Sequence, residues 1–230
     1  MAHVHAHGVE EYLETIYFLA FPVGEYSPVV RDSPVLAARV AEMLGVSAPT
    51  VSEMLKRLEA EGLVERGRRK EAILTERGRA EAERVVRRHR IIEVFLTGFM
   101  GYGAAEAHEH ADALGAAFTD DMIERIAGQL GDPERCPHGW PIDTAVEQAE
   151  NLELKPLSEV AAGEAATIVR LAEHDGPLLH WFYDEGLVPG TPVAVERAEP
   201  AADQIRIRMG DGEERAISST AAAGLFVRTA

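Results

Sequence analysis

The sequence predicts a multi-domain, mainly α protein that ends in a small antiparallel β-barrel. Three observations predict it. Apolar residues recur at helical spacing through much of residues 9–130. From Lys155 onward the pattern changes to short alternating runs, ATIVRLA, PVAVERA, QIRIRMG and GLFVRTA, separated by Gly, Pro or Asp. Between Val35 and Gly62, VLAARVAEMLGVSAPTVSEMLKRLEAEG reads as two short amphipathic helices around a glycine turn.

That third stretch organises the rest. Leu36, Val40, Met43 and Leu44 form one apolar face, and Gly45 follows where a helix C-terminus favours a residue tolerant of positive φ. Ser47 stands at the N-cap position of the next helix, and Pro49 lies in its first turn, where a missing N–H costs nothing. Val51, Met54, Leu55 and Leu58 make the second stripe. Two short strands follow, Leu63–Val64 and Ala72–Leu74, and the tip between them carries Arg68, Arg69 and Lys70. A helix-turn-helix followed by a basic hairpin is a winged helix. The bland alternative is an ordinary αα-hairpin in a helical core. In the winged reading the second helix enters the major groove of DNA and the wing lies along phosphates. Ser47, Pro49, Thr50, Ser52 and Lys56 then face the groove, while Arg39, Arg68, Arg69 and Lys70 contact phosphates.

Charge distribution favours the winged reading. The chain of 230 residues has a net charge of −16, which alone argues against nucleic acid. Residues 31–90, however, hold 14 of the 23 Lys and Arg and only 10 of the 39 Asp and Glu. A basic module in an acidic body is the footprint of a protein that docks on DNA through one face.

The remaining elements follow in order. A first helix runs from Val9 to Ala20, and 21–34 reads as a loop with three prolines. A long helix starts near Glu76 and ends near Thr97, where Gly98, Gly101 and Gly103 break the chain. Helices over about 104–118 and 120–130 complete what looks like a dimerisation unit, since such DNA-binding modules usually work in pairs on two half-sites. GDPERCPHGWPID is a turn-rich connector, and residues 177–185 form a short helix within the barrel region. The expected domains are 1–75 (winged helix), 76–143 (helical dimerisation unit, to which the resemblance below adds metal binding), a linker at 144–155, and 156–230 (SH3-like barrel of about five strands). No apolar run approaches a membrane span, no signal peptide is visible, and a single cysteine excludes an internal disulfide. These features point to the cytoplasm.

Taken in series, EEYLETIYFL, AARVAEMLGVSAPTVSEMLKRLEAEGLVE, RHRIIEVFL, CPHGWPI and the EGLVPGTPV segment resemble the diphtheria toxin repressor family over nearly the whole chain. The resemblance implies a homodimeric, metal-dependent transcriptional repressor with a C-terminal SH3-like, FeoA-like domain. In that family Fe(II) or Mn(II) fixes the DNA-reading helices at operator spacing. It also implies metal ligands. His89 and Glu93 match a His and a Glu four residues apart on the long helix, one face of which brings both to one ion. His108 matches the His that opens the next family segment. Cys136 and His138 resemble the Cys-x-His ligands of manganese-sensing members, with Glu173 and Asp175 as candidate carboxylates from the barrel. A second family site is only half present. Asp112 and, on the first helix, Glu11 and Glu14 match ligand positions, but Gly115 and Ala116 stand where a Glu-His pair is usual. His3, His5 and His7, or His110, are possible substitutes, although His110 points away from His108 and Asp112 on an ideal helix.

Three functions are in play. The leading one is a repressor responsive to Mn(II) or Fe(II), bound to palindromic double-stranded operator DNA. The others are a family member acting without metal and an intracellular metal-binding protein. No nucleophile-and-base constellation or phosphate-cradling loop suggests an enzyme.

Overall fold

The computed structural model describes residues 8–20, 35–151, 153–173 and 175–229. His3, His5 and His7, and the loop expected at 21–34, lie outside the described residues. The chain divides into two compact units, Met1–Val86 and Arg87–Ala230.

The first unit is built by local rules. α1 (Val9–Ala20) buries Tyr12, Leu13, Ile16 and Tyr17. α2 (Ala37–Leu44) ends at Gly45, whose φ of 63° is the left-handed conformation that favours glycine. α3 (Ala48–Ala60) starts at Ser47, whose hydroxyl accepts from the Thr50 amide at 3.3 Å. Val51, Leu55 and Leu58 from α3 meet Leu13, Ile16 and Val40 in one core. Leu36 departs from expectation, standing at the N-cap of α2 and 40 % exposed. β1 (Val64–Arg66) and β2 (Ala72–Leu74) pair antiparallel, and the Ala72 amide also donates to the Val35 carbonyl at 2.8 Å. The wing is thereby tied to the chain entering α2.

α4 (Glu76–Gly98) begins directly after the wing. Thr75 opens it, its hydroxyl accepting from the Gly78 amide at 3.0 Å. A Cβ at Gly78 would fall 1.8 Å from the Leu63 carbonyl oxygen, so only glycine allows this helix so close to the wing.

The second unit begins within α4. α5 (Ala104–Leu114) is shorter than the sequence suggests, and residues 115–117 tighten into a 3-10 turn. Gly115 and Ala116 therefore lie outside the α-helix. α6 (Asp120–Gln129) follows, N-capped by Thr119. The expected linker contains a helix, α7 (Thr144–Glu150), with Glu147 and Glu150 buried.

The C-terminal region corrects the expected β-barrel. Its strands are β3 (Lys155–Pro156), β4 (Ala165–Leu171), β5 (Pro192–Glu199), β6 (Gln204–Met209), β7 (Glu214–Ser218) and β8 (Leu225–Thr229). They form one open antiparallel sheet in the order β3-β8-β4-β5-β6-β7. Closure would require β7 to hydrogen-bond β3 along its length. β3 is two residues long, one of them Pro156, which has no N–H to donate. The short helix α9 (Ser219–Ala223) and the turn Leu157–Glu159 pack against each other instead. α8 (Gly176–Asp184) adds Leu179 and Phe182 to the core made by Ile168, Val195, Ile207, Leu225 and Val227.

Candidate metal centre and nucleic-acid interface

Six buried side chains of the second unit converge. Their ligand atoms form two groups that share Glu93: His89, Glu93 and His108, and Glu93, Cys136, His138 and Glu173, with the atoms of each group within 4.8 Å of one another. His89 and Glu93 come from α4, one helical turn apart. His108 comes from α5, Cys136 and His138 from the connector, and Glu173 from just past β4.

The connector is held down on β4. Its turn closes with the Gly139 amide donating to the Cys136 carbonyl at 3.0 Å and the Cys136 amide to the Trp140 carbonyl at 2.9 Å. Gly139 has φ of 87°, and a Cβ there would lie 1.9 Å from the Val169 carbonyl oxygen. The Leu171 amide donates to the His138 carbonyl at 3.0 Å, and Trp140 Nε1 to the Leu171 carbonyl at 2.9 Å. These bonds fix the connector and the end of β4 as one surface.

His138 is also oriented at its far side. Its Nε2 donates to the Ala104 carbonyl at 3.1 Å, which leaves the Nδ1 lone pair facing Glu93 and Glu173, at 3.3 and 3.5 Å. Glu93 Oε1 lies 2.9 Å from His89 Nε2 and 2.7 Å from His108 Nδ1, while those two nitrogens are 3.1 Å from each other. Two ring nitrogens facing one another cannot both be acceptors unless something positive lies between them. Glu93 Oε2 is buried and has no hydrogen-bond partner among the described residues.

Electrostatics follow from that crowding. Burial would raise the Glu93 carboxyl, but His138, His89 and His108 hold it well below the carboxylate range. Burial would lower the His89 and His108 imidazoles. Glu93 and Asp112 push His89 well above its usual value, and Glu93 outweighs burial at His108, raising it to about 9. Burial, with Glu93 and Glu173 nearby, pushes the Cys136 thiol up. A divalent cation fits either group: carboxylate and imidazole around His89, Glu93 and His108, and carboxylate, imidazole and thiol around Glu93, Cys136, His138 and Glu173.

The other sequence-derived candidates are not among these six. Asp112 Oδ1 sits 3.1 Å from His89 Nδ1, beside the set and largely exposed. Asp175 is the N-cap of α8, accepting from the Leu178 amide at 3.0 Å. Glu11 and Glu14 lie on α1 in the first unit, where Glu11 accepts from the Gly8 amide at 2.6 Å. Gly115 offers its carbonyl to Arg88 Nη1 at 3.0 Å.

On the first unit, Ser47, Pro49 and Thr50 are exposed at the N-terminus of α3, Ser52 is half-buried, and Lys56 is exposed one turn on. Arg39 and Lys56 each pair with a glutamate on their own helix, Glu42 at 2.6 Å and Glu53 at 2.5 Å. Such exposed pairs contribute little, so either cation is available to a phosphate. Arg68, Arg69 and Lys70 are exposed at the wing tip, where Lys70 takes φ of 62°.

Three family models match the chain. Residues 6–72 match the iron dependent repressor N-terminal DNA binding domain, and residues 75–144 the iron dependent repressor metal binding and dimerisation domain. Residues 155–229 match the FeoA domain. The iron-dependent repressor IdeR of Mycobacterium tuberculosis is 35 % identical over 199 residues, covering 81 % of this chain and 83 % of the relative. The chain belongs to the iron-dependent repressor family. Members are metal-dependent transcriptional repressors that bind DNA, not enzymes. IdeR of Mycobacterium leprae is 34 % identical over 213 residues, covering 87 % of this chain and 88 % of the relative. Among solved structures, a manganese-dependent transcriptional repressor in complex with manganese superimposes with a TM-score of 0.85 at 31 % identity, covering 97 % of this chain and all of the other. The manganese regulator SloR gives 0.77 at 28 % identity, with 98 % and 100 % covered.

The sequence reading missed a set of charged residues around Trp140: Arg90, Arg170, Glu147 and Glu150 are all buried. The available signal was the arginine of RHRII set beside two apolar residues on α4, and the acidic spacing of TAVEQAE.

Proposed function

We propose that this protein represses transcription by binding operator DNA as a homodimer when Mn(II) or Fe(II) is available. The convergence of His89, Glu93, His108, Cys136, His138 and Glu173 carries this reading. These side chains come from α4, α5, the connector and the end of β4. A bound ion would supply the positive charge that lets all of them approach at once. Metal control then requires the DNA-competent arrangement to bind metal more tightly than the alternatives do. Asp112, Glu11 and Glu14 remain candidate ligands of a second site, and Asp175 a candidate carboxylate beside Glu173. Residues 1–75, 76–143 and 156–230 serve as reading head, metal-binding dimerisation unit and C-terminal domain, with 144–155 between the last two.

The reading head uses Ser47, Pro49, Thr50, Ser52 and Lys56 in the major groove, and Arg39, Arg68, Arg69 and Lys70 on phosphates. Palindromic half-sites follow from a two-fold dimer. Phe99 and Met100, 77 % and 52 % exposed near the end of α4, are suited to packing against the partner copy. No helix among the described residues is long and apolar enough to cross a membrane; a cytoplasmic location is the reading that goes with the proposed DNA-binding role.

A gel-shift titration on operator DNA tests this reading. Binding should tighten with Mn(II) or Fe(II) and relax with a chelator. Tight specific binding indifferent to chelation would instead favour the metal-independent member that Gly115 and Ala116 suggest.

A further inference from the structure

Beside the metal-ligand cluster lies a second buried assembly. Arg90 Nη1 donates to Glu147 Oε2 at 2.6 Å and to the Pro141 carbonyl at 2.7 Å. Arg170 Nη2 donates to Glu150 Oε2 at 2.6 Å, and its Nη1 to Asn151 Oδ1 at 2.8 Å. Both guanidinium groups lie over the Trp140 ring, 5.4 and 4.9 Å from its centre. The Arg90–Glu147 pair is 1 % exposed at each side chain.

Such an assembly is weak evidence for stability. Removing two charges from water costs several kcal/mol per ion, and apolar residues of similar size are often as stable or more so. A buried ion pair can instead specify one arrangement among several. Its placement here shows which arrangement. α4 carries Glu93 and, three residues earlier, Arg90. The connector carries Cys136 and His138 and, two residues on, Trp140. β4 carries Arg170, with Glu173 three residues beyond. Three elements each give one residue or more to both layers. A register shift in β4 between Ile168 and Arg170 breaks the alternation, so that Arg170 and Leu171 are both buried. α7 closes the layer with its two glutamates.

We propose that the Arg90–Trp140–Arg170 stack, closed by Glu147 and Glu150, positions the Glu93–Cys136–His138–Glu173 cluster for its metal. The stack touches no ion; it sets the spacing of the elements that do. The inference rests on the metal-site reading above.

Co(II) binding to the full chain separates the two. The native protein should show the charge-transfer absorption of a cobalt–thiolate bond through Cys136. Two variants remove the stack differently. Arg90→Met with Glu147→Gln deletes both buried charges, and Trp140→Phe deletes the indole while keeping an aromatic ring. The charge-deleting pair should keep a metal-free Tm near or above the native value, whereas Trp140→Phe, which also loses the bond to the Leu171 carbonyl, should lower it. Both should bind Co(II) about 10- to 100-fold more weakly, as loss of outer-shell support does elsewhere, with a diminished thiolate band. Native affinity and band in both variants would overturn the proposal. So would an affinity loss in the charge-deleting pair matched by an equal loss of its metal-free stability, because the stack would then serve only the fold. Absence of the band in the native protein would overturn the cluster reading and this inference with it.

Discussion

The reading head and the metal cluster are built in opposite ways. The helix-turn-helix and wing occupy residues 37–74, and nearly every feature that shapes them is local. Gly45 ends one helix, Ser47 starts the next, and the wing hairpin turns within a few residues. The cluster draws its ligands from His89 to Glu173, and no two of its carrying elements are positioned by local rules alone. A site built locally tolerates change elsewhere. A site built from four distant elements depends on everything that holds those elements together.

The sharpest test of this contrast is Glu93→Gln. Glu93 belongs to both ligand groups, so this nearly isosteric change should abolish measurable Mn(II) binding by electron paramagnetic resonance while the first unit stays folded. Retained binding would mean that the two groups act separately. Leu55→Ala probes the other side. Leu55 is fully buried in the first unit, and its truncation should cost about 2–5 kcal/mol in thermal or denaturant unfolding. Metal affinity of the second unit should change little. A matching loss of metal affinity would erase the distinction drawn here.

The wing gives a smaller effect, read in salt. Replacing Arg68, Arg69 and Lys70 with Ala should make the dependence of log affinity on log salt shallower by about 3, spread evenly over operator and random DNA. A loss confined to the operator would make these residues base readers instead.

The smallest effect belongs to Glu150. Burial would raise its carboxyl, but hydrogen bonds from Arg135 and Arg170 hold it down at about 2. The folded value lies below that of the unfolded chain. Its contribution is therefore complete above about pH 4.3 and is lost as pH falls through the folded value. Glu150→Gln should lower the metal-free Tm at neutral pH by about 2–4 °C for each ~1 kcal/mol lost. It should also flatten the acid limb of the stability curve between about pH 4 and 2. An unchanged acid limb would show that Arg135 and Arg170 do not hold Glu150 in solution.

Much of this protein was determined by sequence alone. Capping chemistry, helical spacing and the cations of GRRK specify the winged helix, because each acts over one or two turns of chain. The long helix after it follows from the same periodicity. Resemblance to a family pointed to His89, Glu93, His108, Cys136 and His138; no spacing rule would have joined positions so far apart. Tertiary structure decided the rest. It left the C-terminal sheet open, because a two-residue strand with a proline cannot complete a ladder. It turned Asp175 to capping α8 and brought Glu173 to the cluster, because a short departure from β4 sends neighbouring side chains to different surroundings. And it buried Arg90 and Arg170 around Trp140, where charges survive only because Glu147 and Glu150 meet them there. Burial and long-range pairing depend on where distant segments meet, which local pattern does not encode.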